Sequence, residues 1–127
     1  MTDAISRVLL VDDEQLIAQS LARLARRSGL APTMAYDGAS AWRLFDEAPD
    51  AWALLITDIR MPGLDGVSLV QRVRARNRTV PVVLISGHGR PAHVESLAPA
   101  VFLAKPFTRV QLLAALQSLG LDISPTR

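Results

Sequence analysis

The chain has 127 residues, half of them hydrophobic and a fifth charged, with a formal net charge of +2. That length suits one domain with one core and excludes two; the near balance of charge argues against a nucleic-acid surface, which needs basic residues gathered on one face. There is no cysteine, which excludes disulfides and thiolate metal sites, and no apolar run approaches the ~18 residues of a membrane span.

The first residues, MTDAISR, lack the apolar stretch and cleavage site of a signal peptide, so a cytoplasmic protein is expected, without membrane contact. Short apolar runs then alternate with amphipathic segments, the pattern of a parallel sheet wrapped by helices. Val8 to Val11 reads as the first strand. A helix is predicted from about Glu14 to Arg27, with Ile17, Leu21 and Leu24 on its apolar face and Gly29 just past its end. A weak strand at Thr33 to Ala35 precedes a helix from about Ala39 to Glu47, with Asp37 as N-cap. The third strand, Leu54 to Thr57, is apolar almost throughout, as a strand covered on both faces should be.

A proline-glycine loop leads to a helix from about Gly66 to Arg76, then a strand at Val82 to Ile85. Pro91 and Pro99 bracket a short helix near Ala92 to Ala98; the residue before a proline is pushed out of helical geometry, so this segment is expected to be short or irregular. A strand at Val101 to Leu103 follows. Thr108 and Gln111 form a capping box for a last helix with Leu112, Leu116 and Leu119 on one face. The reading is one domain over residues 1–120, with five strands and five helices, and a polar tail over 121–127. Arg72, Arg74, Arg76 and Arg78 point around a helix end rather than along one side; they read as solvated cations complementing the helix dipole, not as a DNA contact.

In open parallel sheets, sites form beyond the carboxyl ends of the strands. Asp12 and Asp13 follow the first strand, Asp58 the third, Ser86 the fourth and Lys105 the fifth. An acid at a helix N-terminus is ordinarily a cap, and Asp12 or Asp13 alone would be read so. Three acids, a hydroxyl and an ammonium converging on one rim from four strand ends are not explained that way. Three clustered carboxylates should collect a hard divalent cation; Mg²⁺ fits, since it takes one or two carboxylates, waters and phosphate oxygens. An Asp carboxylate can accept a phosphoryl group, with a lysine and a hydroxyl to hold its oxygens. Lys105 is the only lysine against thirteen arginines, where a compact ammonium is not interchangeable with a planar fork.

Four segments, VLLVDDE at Val8 to Glu14, LLITDIRMPGLDG at Leu54 to Gly66, LISG at Leu84 to Gly87 and FLAKPF at Phe102 to Phe107, resemble the receiver domains of two-component response regulators in order and placement. The resemblance, from Val8 to Leu119, implies an α/β flavodoxin-like (βα)₅ fold, a doubly wound parallel five-stranded sheet in order 2-1-3-4-5. It implies that Asp58 takes a phosphoryl group from a phosphohistidine on a sensor kinase or phosphotransfer protein. Asp13, Asp58 and the backbone carbonyl of Arg60 would bind Mg²⁺, with Asp12 acting mainly through water. Ser86 and Lys105 would contact the phosphoryl group, and Phe102 would turn inward as Ser86 moves. The Lys105–Pro106 bond would be cis. Arg60 and His88 would flank the path of attacking water or, equally, face solvent from their loops; His93 reads as a surface residue.

Such a protein is a switch rather than an enzyme, apart from self-catalysed uptake and loss of the phosphoryl group. One departure stands out: Lys105 follows Ser86 by 19 positions, roughly a helical turn fewer than is usual in this family. Two alternatives remain. A receiver-like docking module would not be phosphorylated. A haloacid-dehalogenase-like phosphatase would need a second Asp two residues after the nucleophile, where this chain has Arg60.

Overall fold

The computed structural model describes residues 6–121. The order is β1 (Ser6–Val11), α1 (Gln15–Arg27), β2 (Leu30–Ala35), α2 (Gly38–Glu47), β3 (Leu54–Asp58), α3 (Gly66–Arg76), β4 (Val82–Ser86), a 3-10 turn (Val94–Leu97), β5 (Ala100–Ala104) and α4 (Arg109–Ser118). All strand pairs are parallel, in the order β2-β1-β3-β4-β5. This is the doubly wound α/β arrangement expected. The polar tail lies, from residue 122 onward, outside the described residues. No helix among the described residues is long and apolar enough to cross a membrane.

Alternation along the strands divides the core in two. Leu9, Val11, Leu55, Val82 and Leu84 face α2, α3 and the 3-10 turn, where Phe45, Leu69, Val73, Val94 and Leu97 meet them. Val8, Leu10, Ile56, Val83 and Ile85 face the opposite layer, with Leu21 of α1 and Leu112 and Leu116 of α4. Every residue of β3 and β4 is buried, because helices cover both faces.

The caps follow the sequence. Asp37 accepts the Ser40 N–H at 2.7 Å, Asp65 accepts the Ser68 N–H at 2.8 Å, and Thr108 and Gln111 complete a reciprocal capping box. Gly29 follows α1 with φ +86°, the left-handed geometry that ends many helices.

Four expectations need correction. The chain forms four α-helices among the described residues, not five: the segment read as a helix over Ala92 to Ala98 contains only the four-residue 3-10 turn, and Ala98 before Pro99 is extended (φ −54°, ψ 146°). β2 begins at Leu30 rather than Thr33 and tolerates Pro32 because it is an edge strand. On α1 the residues fully against the sheet are Ala18, Leu21, Ala22 and Ala25, while Ile17 and Leu24 are partly exposed; small side chains let the helix lie close to β1. Arg74 is only partly exposed, and it is bonded rather than free in solvent. Its Nε donates to the Leu97 carbonyl at 2.8 Å, its Nη2 to that of Pro99 at 2.9 Å and its Nη1 to that of Asn77 at 3.2 Å.

Candidate functional site

Strand register assembles the site. Val11 pairs with Thr57, so Asp12 and Asp58, each the next residue, emerge side by side at the carboxyl rim. Asp58 pairs with Ile85, which brings Ser86 alongside; Ser86 pairs with Ala104, which delivers Lys105. The Lys105 backbone N–H donates to the Ser86 carbonyl at 2.9 Å, and the Lys105–Pro106 bond is cis, as the resemblance implies.

Carboxylate oxygens of Asp12, Asp13 and Asp58 lie within 4.8 Å of one another. Asp12 is fully buried, Asp58 nearly so, and Asp13 exposed. The Lys105 Nζ stands 3.2 Å from Asp12 Oδ2 and 3.4 Å from Asp58 Oδ1. Asp12 Oδ1 accepts the Glu14 N–H at 3.0 Å, and Asp58 Oδ1 accepts the Ile59 N–H at 3.1 Å. Burial and the Asp12 charge together push the Asp58 carboxyl above its ordinary value, against the opposing pull of Lys105 and the Ile59 N–H. Burial pulls the Lys105 ammonium down, but Asp12 and Asp58 outweigh it, so the net shift is upward and the group stays protonated.

Asp13, Glu14, Asp58, Arg60, Gly87, His88 and Lys105 line an open depression of about 380 Å³. Ser86 is buried, its Oγ accepting the His88 N–H at 2.9 Å. Phe102 is partly exposed on β5, and His93 is exposed with φ 60°. All the residues anticipated at the site therefore reach this rim except Phe102, which lies behind it on the strand. Sequence reasoning missed three contributors. Glu14 and Gly87 line the depression. Gly66, the first residue of α3, lies so close to the Asp58 backbone that a Cβ there would stand 2.1 Å from the Asp58 carbonyl oxygen; the glycine of the LDG segment was the available signal.

The set of oxygen donors is hard, anionic and open on one side, which matches a divalent cation that keeps waters and takes a phosphate oxygen. Residues 8–117 match the profile of the response regulator receiver domain. Among similar proteins, the transcriptional regulatory protein PrrA of Mycobacterium leprae is 42% identical over 118 residues, covering 89% of this chain and 49% of that protein. Two solved structures are also similar. A response regulator receiver domain from Clostridium thermocellum has a TM-score of 0.83 at 25% identity, covering 91% of this chain and 94% of that one. The chemotaxis protein CheY4 of Vibrio cholerae has a TM-score of 0.82 at 26% identity, covering 91% and 99%. The chain belongs to the response regulator receiver domain family of two-component systems, and it spans about half the length of the curated relatives it matches.

Proposed function

We propose that Asp58 accepts a phosphoryl group from a phosphohistidine of a partner kinase or phosphotransfer protein, and that the chain then acts as a cytoplasmic switch rather than as a turnover enzyme. The observation that carries this reading is the bridge from Lys105 to both Asp12 and Asp58 within a cluster of three carboxylates. An ammonium placed so can follow charge as it moves onto the phosphoryl oxygens.

Asp58 Oδ1 is held by the Ile59 N–H and Lys105, while Oδ2 accepts no hydrogen bond among the described residues. That free oxygen forms the bond to phosphorus as the P–N bond of the donor breaks. The donor imidazole, already protonated on the nitrogen that does not carry phosphorus, keeps the electron pair of that bond and leaves as a neutral ring. Asp12, Asp13, Asp58 and the Arg60 carbonyl would hold Mg²⁺, which supplies charge neutralisation for the phosphoryl oxygens when bound. Ser86 donates its hydroxyl to one of those oxygens, and Phe102 follows it inward. A protein partner is favoured by the surface beside Lys105. Ile17, Leu21, Leu24, Pro106 and Phe107 line an apolar hollow of about 410 Å³, and Leu16 on α1 is 78% exposed.

Incubation with acetyl phosphate and Mg²⁺ tests the reading. An adduct on Asp58, stable in acid and labile in base, is expected by intact-mass and peptide analysis. No adduct would leave a docking module without phosphorylation.

A further inference from the structure

The connection from β4 to β5, residues 87–99, contains no α-helix and is held at two unequal points. At its start, the His88 N–H donates to the Ser86 hydroxyl at 2.9 Å, and Gly87, His88, Gly89 and Arg90 are exposed. At its end, Val94 and Leu97 plug the core, and the Arg74 guanidinium of α3 spans the carbonyls of Leu97, Pro99 and Asn77. The Pro99 carbonyl also accepts the Val82 N–H at 3.0 Å. Asn77 ties this corner further, its Oδ1 accepting the Thr79 and Val80 N–H groups and its Nδ2 donating to the Pro49 carbonyl.

Apart from an exposed ion pair inside the connection, Arg90 Nη2 to Glu95 Oε2 at 3.1 Å, its start hangs on one hydroxyl, and that hydroxyl is the group a phosphoryl oxygen on Asp58 would claim. Its end is fixed to α3 by a planar fork whose donors suit several carbonyls at once, and to the base of the sheet by the Val82 N–H. Resting on the phosphoacceptor reading, we propose that Arg74 is the fixed anchor of a strap. When Ser86 turns toward Asp58, residues 87–92 rearrange while residues 93–99, with the His93 carbonyl accepting from Ser96, stay in place, and Arg74 sets that boundary. The changed surface is then confined to the free part of the strap, in place of the helix the family usually has there.

Amide hydrogen exchange read by NMR tests this in the full chain, because the acceptors are known: Ser86 Oγ for His88, the carbonyls of His93 and Glu95 for Ser96 and Ala98, and that of Pro99 for Val82. With beryllofluoride and Mg²⁺ as the phosphoryl mimic, His88 exchange should accelerate in the wild-type protein while Ser96, Ala98 and Val82 keep their rates. In Arg74→Lys without any phosphoryl mimic, those three should accelerate about tenfold, the scale set by losing hydrogen bonds from a charged donor. Arg76→Lys, at a surface residue paired with Asp46, should leave them unchanged. A His88 amide unmoved by beryllofluoride, a joint response of all four amides in the wild type, or wild-type rates in Arg74→Lys would each overturn the proposal. Should Arg74→Lys fail to fold, Arg74→Gln serves the same comparison. Absence of an acetyl phosphate adduct would strike the phosphoacceptor reading instead, and the comparison in untreated protein is scored independently of it.

Discussion

Lys105 places its ammonium 3.2 Å from a carboxylate, Asp12, that is wholly shielded from solvent. The pair joins residues 93 positions apart, so the site exists only where β1 and β5 are held in one sheet. Lys105→Met should destabilise the metal-free protein by about 1–3 kcal/mol, the cost of a buried polar group left without its partner. Lys105→Arg keeps the charge but not the compact shape; adduct formation should persist in part while the spectral change that follows it shrinks. Urea midpoints and intact-mass analysis measure the two effects.

Asp58→Asn should abolish the adduct and stabilise the protein in EDTA. Asp58 is raised above its ordinary value, so its charged form is disfavoured in the fold; stability is fullest below the unfolded pKa, about 3.9, and is lost as pH rises through the higher folded value. The advantage of the variant should therefore be small near pH 4 and grow to a plateau toward neutrality. Added Mg²⁺ should narrow it, since a ligand of the folded state stabilises only the protein that binds it. Denaturant midpoints across pH, with and without Mg²⁺, decide the matter.

Asp37 shows the opposite sign. The backbone N–H of Ser40, its hydroxyl and nearby Arg43 hold this carboxyl below its ordinary value. Its stabilisation is present above the unfolded pKa and fades as pH falls through the lower folded one. Asp37→Ala should cost about 0.5–2 kcal/mol at pH 7, as for other N-cap removals, and much less at pH 2. Thermal unfolding at the two pH values is sufficient.

Gly66→Ala puts a methyl group 2.1 Å from the Asp58 carbonyl oxygen, so backbone must move. A loss of about 1–3 kcal/mol is expected from overpacking, together with slower adduct formation because the displaced backbone carries Asp58. A variant of normal stability and normal rate would show that α3 can retreat without disturbing the rim.

Most of the site could be read from the sequence because it depends on strand ends. Leu54 to Thr57 and Val82 to Ile85 are runs that only a doubly covered strand would carry, and the polar residue after each run had to surface at the rim. What escaped depends on tertiary neighbours. Arg74 looks like its exposed neighbours Arg72 and Arg76 until the chain returns with Leu97 and Pro99 beside it. The segment between Pro91 and Pro99 carries apolar Val94 and Leu97 at a spacing that suits one turn of either helix type, and the prolines alone announced that it would not run on. Ala18, Ala22 and Ala25 are small enough to look like helix filler, yet they are the surface on which α1 meets the sheet.

Prolines mark both open margins of the sheet: Pro32 lies inside β2, and Pro99 and Pro106 flank β5. A proline offers no backbone donor, so an extended segment from another molecule cannot run an unbroken ladder along β2, and along β5 it finds only a few residues between two stops. The margins of the sheet thus resist fibrillar stacking by geometry, although β5 itself is uncharged. A strand offered by another molecule therefore meets a missing backbone donor at or beside either margin of this sheet.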